Sequence, residues 1–440
     1  MSDSYFRLLR VGIENFKNIN SGTVFFNERK ELIKGNFELQ GSALLGIYGQ
    51  NGSGKTGIID ALDILHEIAS SSLPKNSGSK VQYQHETTTL SFEFLYHHDN
   101  LAQIIEYSVI LKPFRGIGHF NEERVTVKEF DGKNWGHAKT IIAVKSANGS
   151  ITPTEIKPYL KDIEEVLLDF KKDQSFVFNP LVISKLLASN YKYANLLRIF
   201  QYELETNLII MNSTDDGTIY LDSCTNLDIP TYVEPSNLKI DLFKTNYFTK
   251  EEYELVKTQI AKNNLALTQI IPGLSVVSNE QSYTSNGETK YAVEFFSLRE
   301  HQVISLINES QGIKRIISLV GALIATYNNP SVILAIDEFD AGVFEYLIGD
   351  LLEVFKNEGE GQIIFTSHNL RVLELLTAQD VVFTSYKSVN RFVRLKGVGK
   401  HTNLRDAYLR NIFLNEGGLA TPTDQYSISR ALRKAGNKNE

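Results

Sequence analysis

The sequence predicts an α/β fold with a mixed or antiparallel β lobe at the N-terminus, a parallel sheet flanked by helices, and a helical insertion. Strand patterns follow one another before residue 150, helical spacing dominates from 150 to 272, and strands alternate with helices after 273. Strands joined by short turns are typical of antiparallel sheets, whereas alternation of strands with helices is typical of parallel sheets.

The individual elements follow in chain order. Residues 5–16 alternate apolar and polar side chains and predict a strand, and residues 88–99 and 104–114 predict an antiparallel pair. Residues 43–48 form a short apolar run that is typical of a buried strand, and helical spacing follows it. Buried strands are also predicted at 331–337 and 361–368.

We divide the 440 residues into four segments. These are an N-terminal part of the main α/β unit (1–149), a mainly helical insertion (150–272), the C-terminal part of the same unit (273–400) and a C-terminal extension (401–440). With 42% hydrophobic residues, the chain can bury a large core, which excludes global disorder.

Charge and cysteine content limit the classes of function. The net charge of −7 argues against a protein coated in nucleic-acid-binding charge, although a local basic groove stays possible. The single cysteine, Cys224, cannot form a disulfide framework or a cysteine-based zinc site. The N-terminus shows no secretory pattern, and the longest apolar run, within 316–327, is too short for a membrane span. We therefore expect a cytoplasmic protein without membrane association.

A glycine-rich segment lies between a predicted strand and a predicted helix. It reads GQNGSGKT and fits the pattern G-x-x-x-x-G-K-[ST] with Gly49, Gln50, Asn51, Gly52, Ser53, Gly54, Lys55 and Thr56. In such a loop the backbone N–H groups surround phosphate oxygens, the lysine reaches the β- and γ-phosphates, and the threonine hydroxyl binds Mg²⁺. The alternative is a glycine-rich turn that matches by accident, roughly a one-in-fifty event at this length.

Polar residues follow two of the later predicted strands. Asp337 and Glu338 come after the apolar run 332–336, and His368 comes after the next strand. We expect Asp337, on a strand neighbouring the glycine-rich loop, to hold Mg²⁺, Glu338 to act as general base on the attacking water, and His368 to contact the γ-phosphate or that water. The alternatives are an ordinary acidic turn and a helix start capped by Ser367 or Asn369.

These segments together resemble a known family. NGSGKT with IIDAL after it, the N-terminal VGIENFKNI, DEFD and FTSHN resemble the P-loop NTPase heads of the SMC, RecF and RecN group of ABC-type ATPases. Within that group the sequence is most similar to the OLD-like (overcoming-lysogenization-defect type) ATPases, many of which serve in bacterial anti-phage defence. The resemblance covers about 1–130 and 280–400. It implies an ABC ATPase head, with ATP and Mg²⁺ as its ligands.

The family also has a signature segment, which the resemblance places at Ser310, Gln311 and Gly312. In the family this segment binds the ATP of another subunit, so it implies a homodimer or higher oligomer with composite ATP sites. The alternative is a plain helix N-cap by Ser310.

Four features of the family pattern differ or stay open. Gln311 replaces a glycine of the signature, and Phe344 stands near the place where OLD-like proteins often have a histidine. Asp340 is the D-loop candidate. Gln82 and Gln84 are both candidates for the Q-loop glutamine.

The prolines of the insertion and the length of the C-terminal extension bear on how the protein acts. A long coiled coil is excluded by Pro180, Pro230, Pro235 and Pro272. The part after 400 is too short for the TOPRIM nuclease domain of OLD nucleases. The resemblance therefore implies an ATPase that regulates a separate effector subunit, such as an HNH or TOPRIM nuclease, in anti-phage defence. The alternative is a RecF- or RecN-like DNA repair or recombination ATPase, for which DNA is a possible partner that the charge does not indicate.

Overall fold

The computed structural model describes most of the chain. The described residues are 4–70, 77–114, 116–145, 150–151, 155–163, 174–213, 217–220, 239–285, 288–387, 389–395, 397–398, 403–414, 416–419 and 424–436. Of the prolines that argue against a coiled coil, Pro230 and Pro235 lie outside these ranges.

The strands and helices are numbered separately along the chain. The strands are β1 (Ser4–Phe16), β2 (Ile19–Phe25), β3 (Ala43–Tyr48), β4 (Thr88–His98), β5 (Leu101–Phe114), β6 (Ile117–Glu129), β7 (Lys139–Lys145), β8 (Ser150–Ile151), β9 (Leu208–Met211), β10 (Thr218–Tyr220), β11 (Lys239–Asp241), β12 (Asn246–Thr249), β13 (Leu274–Ser285), β14 (Glu288–Arg299), β15 (Gln302–Ser305), β16 (Ile333–Ile336), β17 (Gln362–Thr366), β18 (Val381–Thr384) and β19 (Phe392–Val393). The α-helices are α1 (Arg29–Ile33), α2 (Thr56–Ala69), α3 (Pro180–Ala188), α4 (Ala194–Thr206), α5 (Lys250–Ile270), α6 (Gln311–Asn328), α7 (Glu345–Glu358), α8 (Leu404–Phe413) and α9 (Gln425–Gly436).

The N-terminal lobe is a seven-stranded sheet in the order β2-β1-β4-β5-β6-β7-β8. All of its neighbouring strands pair antiparallel, including the expected β4–β5 pair. One face packs against α2 and α4 in a large apolar cluster that includes Phe6, Phe94 and Phe200. The predicted antiparallel lobe is thus confirmed.

The second large sheet has six strands in the order β19-β18-β3-β17-β16-β9. Its strands are parallel except for the edge strand β19. Alternate residues of β16 face opposite layers, since Ile333 belongs to the cluster formed with α2, whereas Leu334 belongs to the cluster formed with α6 and α7. Helices therefore cover both faces, which explains the continuous apolar runs of these strands. The predicted α/β class is confirmed.

One detail of strand order differs from the sequence prediction. The expectation that Asp337 follows a strand neighbouring the glycine-rich loop is wrong, because β17 lies between β3 and β16. Strand order depends on how the crossover connections are routed, and local apolar patterns do not contain that information. As a consequence, β17 lies between the strand that leads into the glycine-rich loop and the strand that precedes Asp337.

The segment 150–272 contains the expected helices α3, α4 and α5. It also contributes β9, which pairs parallel with β16 at the edge of the central sheet. Phe200 of α4 packs 5.4 Å from Phe94 of the lobe, measured between ring centroids. Much of this segment is therefore packed into the two sheets, and the boundaries at 150 and 272 stay predictions.

A smaller sheet, β12-β14-β13 with β15 paired to β14, packs against α5 and α6 through a third apolar cluster. The C-terminal extension contains α8, which packs by Leu404 and Tyr408, and α9, which has no buried residue. Among the described residues, no helix is both long enough and apolar enough to cross a membrane.

Candidate functional site

The glycine-rich loop connects the end of β3 to the start of α2. Gly52 and Gly54 have φ values of +73° and +101°, a region that residues with a Cβ rarely adopt. A Cβ at Gly54 would also lie 2.8 Å from Cγ1 of Ile19. The backbone of the loop therefore favours glycine at Gly52 and Gly54.

Lys55 is buried within this loop, with 7% of its surface exposed. Its Nζ donates to the carbonyl oxygens of Gly49 at 3.0 Å and Gln50 at 3.2 Å. Burial lowers the pKa of the Lys55 ammonium, and the nearby carboxylates of Asp337 and Glu338 oppose that shift. The ammonium group therefore lies inside the loop, beside the acidic residues at the ends of the strands.

Asp337 follows β16 and is itself buried. Its Oδ1 accepts hydrogen bonds from the Thr56 hydroxyl at 3.2 Å and the Thr366 hydroxyl at 2.6 Å. Its backbone is held by Arg315, whose Nη2 donates to the Asp337 carbonyl at 2.6 Å. The structure thus brings the predicted metal-binding pair Thr56 and Asp337 together across the intervening strand β17.

Glu338 has an exposed side chain and an unusual backbone, with φ of +50°. A residue with a Cβ in this left-handed region costs about 1–2 kcal/mol relative to an ordinary conformation. Its amide donates to the Thr366 hydroxyl at 2.8 Å. The site therefore holds Glu338 in a conformation that the isolated chain would avoid.

Glu338 lines an open cleft of about 240 Å³ together with Asn51, Asp340, Ala341 and His368. His368 is exposed, and its backbone N–H donates to Oδ2 of Asp340 at 3.0 Å. The predicted base, the predicted histidine and one residue of the glycine-rich loop thus share a single cleft. The two residues named as alternative helix caps bond to each other, since the Ser367 hydroxyl accepts a hydrogen bond from the Asn369 amide at 2.9 Å.

The donor groups of the site suit a metal ion that also binds phosphate. Within the described part of the chain, no group of three or more His, Cys, Asp or Glu residues could hold one. Mg²⁺, however, needs only one or two protein oxygens when phosphates and water complete its shell. The Thr56 hydroxyl and the Asp337 carboxylate converge at 3.2 Å, so these residues fit that requirement.

The signature candidate lies at the start of α6. Ser310 occupies the N-cap position, yet its side chain makes no capping hydrogen bond. A Cβ on Gly312 would lie 2.0 Å from the Gly342 carbonyl oxygen, so the two backbones are in direct contact. Ser310 and Gln311 are exposed. Whether they bind a nucleotide stays a prediction.

Several residues that support the site were not recognised in the sequence. Thr366 is the last residue of the apolar strand β17, and its residue type carries no local signal. Thr384, at the end of β18, donates to the Ser53 hydroxyl at 2.7 Å, and the Asn18 amide donates to the Gly52 carbonyl. Only their positions at strand ends and turns could have indicated them. Of the two glutamine candidates, Gln82 is half-buried and donates to Asn20 at 3.0 Å, whereas Gln84 is exposed.

Comparison with known proteins found similarity among solved structures. The head of an SMC protein bound to the C-terminal winged-helix domain of ScpA is 13% identical, with a TM-score of 0.37 over 88% of this chain and 97% of that one. The SMC head domain from Thermotoga maritima is 13% identical, with a TM-score of 0.34 over 89% and 99%.

An Smc head with an extended coiled coil, derived from Pyrococcus furiosus and bound to the C-terminal domain of ScpA, is 12% identical. Its TM-score is 0.39 over 93% of this chain and 100% of that one. No protein-family model and no curated protein sequence matches this chain. The similarity assigns no role to any residue, and the α/β architecture rests on the sheet order given above.

Proposed function

We propose that this protein is an ABC-type ATPase that binds Mg²⁺-ATP and hydrolyses it to ADP and phosphate. The observation that carries the proposal is the meeting of Thr56 and Asp337 at 3.2 Å beside a cleft lined by Glu338 and His368. A phosphate chain bound in the glycine-rich loop would replace the Gly49 and Gln50 carbonyl oxygens as the hydrogen-bond partner of Lys55. Thr56 and Asp337 would hold Mg²⁺. Bound Mg²⁺ would neutralise the negative charge that develops during phosphoryl transfer.

The chain's own residues supply the remaining steps. Glu338 accepts a proton from a water molecule in the cleft, and His368 stabilises the same water or a phosphate oxygen by hydrogen bonding. Asp340 orients the His368 backbone through the bond at 3.0 Å. Ser310 to Gly312 bind the γ-phosphate of the ATP that a second copy of the chain holds. Two copies therefore form two ATP sites, each with residues from both copies.

The test uses Glu338→Gln, which keeps the shape of the side chain but removes the base. We expect phosphate release to fall by about 10²–10³-fold, while the affinity for a fluorescent ATP analogue stays within about threefold. The same variant should accumulate as an ATP-dependent dimer in light scattering, because the bound ATP persists. Glu345→Gln, an exposed carboxylate at the start of α7, is the matched control. Wild-type phosphate release by Glu338→Gln would contradict the assignment.

The finer part of the proposal rests on the motif resemblance. We infer that the protein is an OLD-like ATPase that regulates a separate HNH or TOPRIM nuclease in anti-phage defence. Cells that express the chain with the product of its adjacent gene should reduce phage plating, and Glu338→Gln should change that reduction. Equal plating with and without the pair would contradict the defence role. Salt-dependent DNA binding by the purified chain would instead support a repair ATPase.

A further inference from the structure

Thr366 is the last residue of β17, and it lies between the glycine-rich loop and the acidic segment at 337–340. It is 1% exposed, so solvent does not compete for its hydroxyl group. A hydroxyl group has one donor and two acceptor sites. In Thr366 the donor and one acceptor are both directed at residues of the candidate site.

Three contacts join Thr366 to the acidic segment. Its hydroxyl donates to Oδ1 of Asp337 at 2.6 Å and accepts from the Glu338 amide at 2.8 Å. Its carbonyl oxygen accepts from the Phe339 amide at 3.0 Å. A backbone amide can only donate, so the Thr366 hydroxyl accepts from Glu338 and directs its own hydrogen to Asp337.

These contacts bear on the backbone conformation of Glu338. Its φ of +50° is one that a glutamate rarely adopts, so neighbouring contacts must hold it there. The hydrogen bond from the Glu338 amide to the Thr366 hydroxyl fixes the orientation of the peptide group between Asp337 and Glu338. Since threonine is stiff at χ1, the position of its hydroxyl is itself well defined.

We propose that Thr366 is a positioning residue that aims the Glu338 carboxylate into the cleft by holding the Glu338 backbone in its left-handed conformation. The inference rests on the proposed ATPase function. Without the hydroxyl, Glu338 relaxes toward an ordinary φ and its carboxylate turns away from the site of the attacking water. Thr366 is buried and does not line the cleft, so we expect ATP binding to survive its loss.

The experiment compares Thr366→Val, which keeps the shape of the side chain, with Thr366→Ser, which keeps the hydroxyl. We expect Thr366→Val to lower kcat for ATP by about 10–100-fold, with KM and the affinity for a fluorescent ATP analogue within about threefold of wild type. Thr366→Ser should recover kcat to within about threefold of wild type. Thr326→Val is the matched control, because Thr326 is also buried and, among the described residues, its hydroxyl bonds only to the Ala322 carbonyl, at 2.7 Å.

A second measurement does not depend on activity. Hydrogen exchange of the peptide that covers 337–341 should speed up for one amide, that of Glu338, in Thr366→Val and stay at the wild-type rate in Thr366→Ser. Equal kcat in wild type and Thr366→Val would overturn the inference, as would a parallel loss of ATP affinity or an equal loss in both variants. If Thr366→Val does not fold, Thr366→Ala replaces it in the same comparison.

The outcomes separate this inference from the proposed function. A wild-type protein that releases no phosphate contradicts the ATPase, while the exchange measurement still tests the bond to Glu338. A wild-type protein that hydrolyses ATP alongside an equally active Thr366→Val contradicts only the role of Thr366.

Discussion

Two buried carboxylates, Asp337 in the central sheet and Glu123 in the antiparallel lobe, are held by similar partners but differ in what surrounds them. Asp337 accepts hydroxyl bonds from Thr56 and Thr366 and lies near the Lys55 ammonium and the open cleft. Glu123 also accepts two hydroxyl bonds and one from a backbone amide, but it is enclosed by the lobe. Neither carboxylate has an ion pair among the described residues.

The surroundings of Glu123 indicate a structural role. Its carboxylate joins β6 to β5 through the Tyr107 hydroxyl at 2.8 Å. It also joins β6 to a later segment through the Ser175 hydroxyl at 2.7 Å and the Phe176 amide at 2.6 Å. Burial raises the pKa of Glu123 even though the hydrogen bonds that its carboxylate accepts oppose the shift. Similar polar contacts thus surround an enclosed carboxylate in the lobe and, in the central sheet, a carboxylate with a cleft and a cation beside it, which is the setting of the proposed ligand site.

The largest expected effect on stability is in the lobe. Glu123→Ala leaves the Tyr107, Ser175 and Phe176 donors buried without their acceptor, so we expect the free energy of unfolding to fall by about 3 kcal/mol. Urea denaturation measures this loss, and ATP affinity should stay at the wild-type value once the protein is folded. Glu86→Ala, at an exposed ion pair, should cost less than about 0.5 kcal/mol. A loss of ATP affinity in folded Glu123→Ala would remove the distinction between the two carboxylates.

A pH effect of intermediate size is expected from Glu203 of α4. Burial raises the pKa of Glu203 from 4.5 to about 7, and the bond from Asn207 opposes the shift. Because the folded pKa lies above the unfolded one, this group favours folding at low pH, and that contribution is lost as pH rises toward 7. Between pH 5.5 and 8 we expect it to lower the free energy of unfolding by about 2 kcal/mol.

The measurement is urea denaturation of the wild type and of Glu203→Gln at several pH values. The glutamine variant should lack this part of the pH dependence and gain relative stability at pH 8. Parallel curves for the two proteins would show that Glu203 does not titrate as its burial implies.

The smallest effect is expected at the signature candidate. An N-cap serine usually contributes about 1 kcal/mol, but the Ser310 side chain makes no capping bond. Ser310→Ala should therefore change the free energy of unfolding by less than about 0.5 kcal/mol. Thr249→Ala removes the capping box formed with Glu252 in α5 and should cost about 1 kcal/mol in the same assay. Equal losses in the two variants would identify Ser310 as an ordinary cap.

The sequence predicted the parts of the site whose chemistry requires fixed spacing. Phosphate binding requires glycines, a lysine and a threonine at set positions, and acidic or histidine residues directly after apolar strands were expected at one edge of the sheet. Thr366 could not be predicted, because its role depends on β17 lying between β3 and β16. The strand β9 was missed for a different reason, since its four apolar residues directly follow a helical pattern and resemble the end of a helix.

The contact between Gly312 and Gly342 links two places that the proposed dimer would use separately. One backbone belongs to the segment that would bind the partner's nucleotide, and the other follows Asp340 in the chain's own cleft. With no side chain between them, a shift of the α6 N-terminus cannot be absorbed by a change of rotamer. Arg315 of the same helix also donates to the Asp337 carbonyl. In the proposed dimer, a displacement of the α6 N-terminus would therefore reach the backbone that carries Asp337.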